Sequence, residues 1–266
     1  MKVANGVECI ELKMETPFGE MTINPTLIWD ENQAVLVDTG MPGQWPIIRR
    51  LIEKAGVALS KLQAVILTHQ DIDHIGNIPE IIREFPDIKV FAHEADQPYI
   101  EGEQHLIKAD PNKMSKERWE TLPKEMRAIY ENPPKATVTD PLIGGEKLEY
   151  GGGITVIHTP GHTPGHLSLY LEQSKTLITA DALTASNGIL QGPVPRNTPD
   201  MKEAIRSLEK LLDYDIDQAI CYHGGLVKGD LHTAIRGIIE KANQARSCCM
   251  QDDGSWYPHI LLKNQH

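Results

Sequence analysis

The chain has few of the features that mark a disulfide-bonded, nucleic-acid-binding or membrane-spanning protein. Its 266 residues include only four cysteines, with no CxxC pair and no regular spacing, which argues against a disulfide framework. Lysine and arginine total 26 against 37 acidic residues, so the formal net charge is −11 and no basic stripe is present to bind a phosphate backbone. No apolar stretch approaches the roughly 20 residues that a bilayer-spanning helix needs.

These absences narrow the class of protein. The first six residues lack the hydrophobic core of a signal peptide, so we expect a cytoplasmic location. A composition of 40% hydrophobic and 24% charged residues is ordinary for a globular enzyme. We therefore expect a protein that acts on a small-molecule substrate as a monomer or homodimer, with no nucleic-acid partner and no membrane partner.

Short apolar runs alternate with amphipathic segments, which predicts an α/β layered protein with a single domain over residues 1–266. A turn at 16–19 joins the first two predicted strands into an antiparallel hairpin. The predicted strands cover residues 7–14, 20–29, 34–37, 64–67, 89–92, 154–158, 167–171, 176–180 and 218–222. The predicted helices cover residues 46–55, 78–85, 113–130, 199–212 and 231–245.

The regular alternation is interrupted over residues 94–153, where charges, prolines and aromatics mix. An interruption that long within one domain is usually an insertion or a lid over a binding site. We weigh a substrate lid and a peripheral insertion that covers a sheet edge as equal alternatives.

The most informative stretch is the sequence THQDIDH at residues 68–74, directly after the apolar run at 64–67. Two carboxylates this close repel each other and resist burial unless a cation lies between them. Imidazole and carboxylate are the ligands of zinc, iron and manganese, so the stretch predicts a metal site rather than a solvated turn. The candidate ligands are His69, Asp71, Asp73 and His74.

Three further segments place a candidate ligand at the end of an apolar run, beside a glycine or a small residue. They contribute His162 from the sequence TPGHTPGH, Asp181 from TADA, and His223 from CYHGG. Loops at strand ends can present side chains into a cleft while their glycines allow sharp bends. We expect His166 to support the site beneath its loop without contacting metal, and Asp38 to orient a ligand or brace the loop.

In order and spacing, these motifs resemble the metallo-β-lactamase superfamily, and most of all its acyl-homoserine-lactone lactonases. The resemblance spans about residues 20–245 and includes the sequence VLVDTG at 35–40. It implies a four-layer αββα sandwich with a dinuclear metal centre at one edge. On this resemblance His69, Asp71 and His162 hold the first metal ion, Asp73, His74 and His223 hold the second, and Asp181 bridges them.

The resemblance also implies two divalent metal ions as cofactors, with zinc as the first expectation and iron or manganese as alternatives, above all beside Asp71. Most of the family has histidine at that position, and an aspartate favours harder ions. A metal-bridging hydroxide would attack an ester, lactone or thioester carbonyl, with Asp73 as the catalytic residue that orients it. The lactonases carry a tyrosine three residues after the bridging aspartate, where this chain has Thr184.

Two alternatives to a lactonase- or esterase-like metallo-hydrolase stay open. One is a thioesterase similar to hydroxyacylglutathione hydrolase. The other is a mononuclear iron oxidoreductase of persulfide-dioxygenase type, because Asp71 with two histidines mimics a 2-His-1-carboxylate iron triad. Two metal ions per chain would favour hydrolysis, whereas one iron with oxygen uptake would favour oxidation.

Overall fold

The computed structural model describes residues 1–16 and 19–248, which form two large facing β-sheets, two separate two-stranded hairpins, and helices packed outside the large sheets. The strands are β1 (Lys2–Ala4), β2 (Val7–Cys9), β3 (Leu12–Thr16), β4 (Gly19–Ile23), β5 (Thr26–Trp29), β6 (Ala34–Val37), β7 (Leu62–Ile66), β8 (Lys89–His93), β9 (Asp140–Leu142), β10 (Lys147–Leu148), β11 (Ile154–His158), β12 (Leu167–Leu171), β13 (Thr176–Ala180), β14 (Thr184–Ser186), β15 (Ile189–Gln191), β16 (Gln218–Cys221) and β17 (Gly225–Lys228).

The helices connect strands and flank the sheets. They are α1 (Trp45–Lys54), α2 (Ile72–Ile75), α3 (Ile78–Glu84), α4 (Gln97–Ile100), α5 (Lys116–Thr121), α6 (Lys124–Glu131), α7 (Met201–Ser207) and α8 (Leu231–Cys248). Short 3₁₀ helices cover Leu59–Lys61, Pro111–Lys113, Pro195–Asn197 and Leu208–Asp213. No helix within the described ranges has the length and apolarity to cross a membrane.

Both sheets mix parallel and antiparallel pairs. The larger sheet has the strand order β1-β2-β5-β6-β7-β8-β9, and the strands from β6 to β9 pair in parallel. The smaller sheet has the order β10-β11-β12-β13-β16-β17, with a parallel pair between β13 and β16. Parallel neighbours need crossover connections, so the carboxyl ends of these strands open into loops at a common edge of each sheet.

Three apolar clusters separate four layers of secondary structure. Along β6, Val35 and Val37 face the other sheet whereas Ala34 and Leu36 face outward, because successive side chains of a strand point to opposite sides. The middle cluster lies between the sheets, one outer cluster packs α1 and α3 on the larger sheet, and the other packs α7 and α8 on the smaller sheet. The predicted αββα sandwich is therefore confirmed.

The first two predicted strands, 7–14 and 20–29, are wrong in extent because each divides into two. Strand pairing stops at Pro25, which has no N–H to donate to a ladder, and its carbonyl accepts a bond from the Ile10 N–H at 2.8 Å. The hairpin predicted around 16–19 is confirmed, since β3 and β4 pair antiparallel up to that turn. Residues 17–18 of the turn lie outside the described residues.

Two predicted helices also differ from the structure. The helix expected over 113–130 is divided into α5 and α6 at Pro123, because proline disfavours helical backbone at the residue before it. The helix expected over 199–212 begins later, where the Asp200 side chain accepts a bond from the Glu203 N–H at 2.9 Å and caps α7. Its second half is the 3₁₀ helix Leu208–Asp213.

The interrupted region at 94–153 contains strands that the sequence did not reveal. β9 pairs with β8 in the larger sheet, and β10 pairs with β11 in the smaller one. What remains between β8 and β9 is residues 94–139, called the cap segment below, which carries α4, α5 and α6. These short strands have no clear alternation of their own, so tertiary pairing decides them.

Candidate metal centre

The loop that follows β7 carries four of the predicted ligands within six residues. Its backbone is fixed by a hydrogen bond of 3.0 Å from the Gln70 N–H to Asp96 of the cap segment. α2 begins directly after Asp71, and its buried Ile72 and Ile75 anchor it in the outer apolar cluster. The helix therefore packs its apolar side chains into the core and leaves Asp73 and His74 to the ligand cluster.

Loops after β11, β13 and β16 bring His162, Asp181 and His223 to the same place. Two of these loops bend at a glycine that a side chain could not replace, Gly161 after β11 and Gly224 after β16. Gly161 has φ +130° and lies so close to α7 that an added Cβ would sit 2.3 Å from the Ala204 nitrogen. Each loop therefore approaches its neighbour at backbone distance, which holds the adjacent histidine in position.

The first ligand set consists of His69, Asp71, His162 and Asp181, whose ligand atoms lie within 4.8 Å of one another. Asp71 Oδ2 is 3.4 Å from His69 Nε2 and 3.1 Å from His162 Nε2. All four residues have the donor atoms that zinc, iron and manganese accept.

The second ligand set consists of Asp73, His74 and His223, again with ligand atoms within 4.8 Å. Asp73 Oδ2 is 3.8 Å from His74 Nε2 and 3.3 Å from His223 Nε2. The structure thus brings together all seven residues that the sequence singled out, with Asp181 grouped in the first set.

Asp181 lies between the two sets. Its Oδ2 is 3.2 Å from His162 Nε2, whereas its Oδ1 is 3.4 Å from His74 Nε2 and 3.5 Å from His223 Nε2. Three buried atoms of the cluster make no hydrogen bond: Asp181 Oδ1, His69 Nε2 and His74 Nε2. Buried polar atoms normally have partners. Their grouping here, with imidazole and carboxylate donors only, fits a metal centre.

Asp38 braces this centre from behind, as the sequence predicted. Its carboxylate accepts a bond of 2.8 Å from the Thr68 N–H and lies 2.8 Å from His74 Nδ1. Nδ1 therefore carries a proton toward Asp38, which directs Nε2 of His74 to the second ligand set. Burial opposes a charge on this ring, but the Asp38, Asp73 and Asp181 carboxylates hold its pKa well above the usual value, and a metal ion bound there would displace the proton on Nε2. Asp38 has φ +60°, a strained conformation that is held by these bonds.

His166 lies under the centre and contacts no ligand atom directly. Its Nε2 accepts a bond of 3.0 Å from the Asp181 N–H, and its Nδ1 lies 2.9 Å from Thr159 Oγ1. Burial, with its histidine neighbours, holds the pKa of His166 well below its usual value, so the ring stays neutral. The prediction that it supports the loop is confirmed.

The electrostatics of the cluster keep its carboxylates ionised. Burial alone would raise the pKa of Asp71, but the Lys108 ammonium and His69 hold it well below its usual range. Burial also opposes ionisation of Asp181, and there His223 and His74 lower the pKa well below the usual value. Ionised carboxylates are the form that binds a cation.

Three residues of the site were missed by the sequence analysis. Lys108 forms an ion pair with Asp71, and Asp96 ties the loop after β7 to the loop after β11 through a bond of 2.8 Å from Thr163 Oγ1. Both lie in the cap segment, where no motif marks them. The Tyr222 hydroxyl donates to the backbone oxygen of Asp73, and only its place beside His223 pointed to the site.

Two other residues have roles that the structure clarifies. Cys221 is fully buried in the outer cluster of the smaller sheet, and burial raises the pKa of its thiol to about 12. The prediction that it is a core thiol is confirmed. Thr184, which stands where the lactonases have tyrosine, donates to the Gly192 carbonyl at 3.2 Å within the β14–β15 hairpin.

A cavity of about 210 Å³ opens beside the ligand sets, with Asp71 and Asp73 in its wall. Six of its lining residues come from the cap segment: Leu106, Lys108, Ala109, Arg118, Met126 and Tyr130. A larger hollow of about 530 Å³ near Trp29 contains none of the seven candidate ligands. The smaller cavity is therefore the one lined by candidate metal ligands.

The metallo-beta-lactamase superfamily profile matches residues 18–223. The uncharacterized protein YobT of Bacillus subtilis is 29% identical over 233 residues, which cover 84% of this chain and 91% of YobT. The probable metallo-hydrolase YybB of the same organism is 30% identical over 200 residues, 74% of this chain and 78% of YybB. The crystal structure of metallo-beta-lactamase family protein TTHA1429 from Thermus thermophilus superposes with a TM-score of 0.70 at 23% identity, covering 93% of this chain and 82% of that one.

Proposed function

The chain belongs to the metallo-β-lactamase superfamily, and we propose that it is a metal-dependent hydrolase of an ester, lactone or thioester, most similar in function to the lactonases. One observation carries this proposal: the Asp181 carboxylate has one oxygen toward each ligand set. That arrangement suits two divalent ions that share a bridging carboxylate.

In this proposal His69, Asp71 and His162 hold the first ion, Asp73, His74 and His223 hold the second, and Asp181 holds both. The bound ions would supply a water of lowered pKa and would polarise the substrate carbonyl. The chain fixes the donors: Asp38 sets the tautomer of His74, and His166 holds the Asp181 backbone. Imidazole and carboxylate ligands make zinc the first candidate, and the Asp71 carboxylate makes iron or manganese the alternative at the first position.

Asp73 is the group that we assign to proton transfer. It belongs to the second ligand set and also lines the cavity, with its side chain 23% exposed. Its backbone oxygen accepts the Tyr222 hydroxyl, whose ring lies 3.8 Å from the His74 ring. With its backbone held by this bond, the Asp73 carboxylate could orient an attacking water and accept its proton.

The lining of the cavity supports the proposal of a substrate with an acyl group. Met41, Ile72 and Leu106 supply an apolar wall for an acyl group. Tyr130 lines the same cavity, and burial raises the pKa of its phenol, which therefore stays a hydrogen-bond donor at neutral pH. Since the Thr184 hydroxyl is engaged within its hairpin, we assign the carbonyl-polarising role of the lactonase tyrosine to Tyr130. The cap segment then acts as the substrate lid.

Chelation tests this proposal. The purified protein is assayed on an ester, a lactone and a thioester before chelation, after it, and after return of zinc, manganese or ferrous iron. We expect hydrolysis to fall on chelation and to return with metal. Asp73→Asn should abolish it, whereas Asp230→Asn, at the remote N-terminus of α8, should not change it.

Two results would contradict the proposal. Hydrolysis that is insensitive to complete metal removal would exclude metal dependence. One iron per chain, with oxygen uptake on a persulfide substrate and no hydrolysis, would instead assign the chain to the oxidoreductase alternative.

A further inference from the structure

Lys108 of the cap segment places its ammonium group within the first ligand set. Its Nζ forms an ion pair with Asp71 Oδ2 and lies 2.5 Å from His162 Nε2. A third contact of 3.1 Å to the Asn197 carbonyl oxygen fixes the head group from the other side. The side chain is 23% exposed, so the lysine reaches into the site from the cavity wall.

These contacts use the same two atoms that a first metal ion would need. Asp71 Oδ2 and His162 Nε2 are ligand atoms of the first set. An ammonium group donates hydrogen bonds to the lone pairs that would coordinate the ion, and its positive charge repels a divalent cation. Lys108 and the first ion therefore cannot both occupy these two atoms.

The second ligand set has no such competitor. Within the described part of the chain, Asp73 and Asp181 form ion pairs with histidines, and neither pairs with a lysine or an arginine. The asymmetry also gives a reason for aspartate at position 71. A carboxylate holds an ammonium group in place, whereas a neutral imidazole would bind it far less firmly.

We infer that Lys108 is a built-in competitor for the first metal position, so that the second ligand set fills first and the first ion binds only when Lys108 withdraws. The inference rests on the metal centre of the proposed function. Because Leu106 and Ala109 line the cavity on either side of this lysine, its withdrawal would also move the cavity wall. Loading of the first ion is thereby coupled to the shape of the substrate site.

Metal titration calorimetry on the chelated protein tests this inference, with zinc and with manganese as the probes. The wild type should bind one ion tightly and a second more weakly. Lys108→Met should strengthen the weak step by about tenfold or more, the scale of one displaced charge-assisted hydrogen bond, and leave the tight step unchanged. Lys113→Met, at an exposed lysine of the same segment, is the matched control and should change neither step.

Amine labelling gives a second readout that needs no variant. Acetic anhydride should modify Lys108 slowly in the chelated protein and faster with two ions per chain, relative to Lys113 in the same sample. The inference would be overturned if the wild type bound two ions with equal affinity and Lys108→Met changed neither affinity. It would also be overturned if the rate of Lys108 labelling did not depend on metal. If hydrolysis remains metal-dependent in that case, the proposed function survives and only the role of Lys108 falls.

Discussion

Replacing Asp38 by asparagine tests how the site is held together, because the change keeps the shape of the side chain and removes its charge. Both Asp38 oxygens face donors: Oδ1 accepts from the Thr68 N–H at 2.8 Å, and Oδ2 lies 2.8 Å from His74 Nδ1. An amide has only one acceptor oxygen, so its NH₂ group must face one of these donors. If it faces His74, the ring changes tautomer and Nε2 takes the proton, which removes the lone pair that would bind metal.

The size of the effect follows from these contacts. Loss of an outer carboxylate that orients a ligating histidine lowers metal affinity or activity by about 10–100-fold. A buried donor left without its acceptor costs the metal-free fold about 1–3 kcal/mol. Asparagine tolerates the φ of +60° at this position, so backbone strain adds little to either loss.

The assay is competition for zinc against a chromophoric chelator, with thermal unfolding of the metal-free protein measured in parallel. Asp230→Asn is the matched control, since asparagine caps a helix as well as aspartate does. We expect weaker zinc binding and a lower Tm for Asp38→Asn alone. Zinc affinity equal to the wild type would refute the argument that Asp38 sets the tautomer of His74.

The remaining predictions concern the bridging Asp181, the stability of the metal-free protein at acid pH, and Gly161. Asp181→Asn should weaken both metal-binding steps in calorimetry, because each Asp181 oxygen serves one ligand set; an effect on one step alone would contradict the bridge. The metal-free protein should lose stability in denaturant titrations as the pH falls. The lowered pKa values of Asp71 and Asp181 stabilise the fold above the unfolded value near 3.9, and this stabilisation is lost as the pH falls through the folded pKa values. A free energy of unfolding that does not change over the acid range would contradict this prediction. Gly161→Ala should lower the free energy of unfolding by about 1–3 kcal/mol, because of its φ of +130° and its contact with Ala204. Gly237→Ala, in open space on α8, is the control and should raise it by up to about 1 kcal/mol. Both changes are read from denaturant midpoints, and an unchanged midpoint for Gly161→Ala would contradict the close packing.

The parts of the site that could be predicted are those whose candidate ligands lie close together in the sequence or beside a glycine at a strand end. His69 to His74 directly follow a buried apolar run, and that local pattern survives whatever the rest of the chain does. His162 and His223 were found because a glycine adjoins each of them where a strand ends. The four layers followed from the resemblance, and the alternation along β6 is consistent with them.

The parts that could not be predicted depend on contacts between distant residues. Lys108 precedes His162 by 54 positions and lies in a segment with no periodic pattern. Asp96 holds two loops through bonds to Gln70 and Thr163 that no spacing reveals. The break between α5 and α6 at Pro123 was readable in principle, since proline lacks the N–H that a helix interior needs.

The most direct test of the metal centre is a crystal structure of the protein as purified, with anomalous diffraction recorded on both sides of the zinc, iron and manganese absorption edges. We predict an anomalous peak between the Asp181 carboxylate and the Nε2 atoms of His74 and His223, with a weaker peak, or none, beside Lys108 and Asp71. A map without any anomalous peak in this cluster, from protein that still hydrolyses its substrate, would contradict the account.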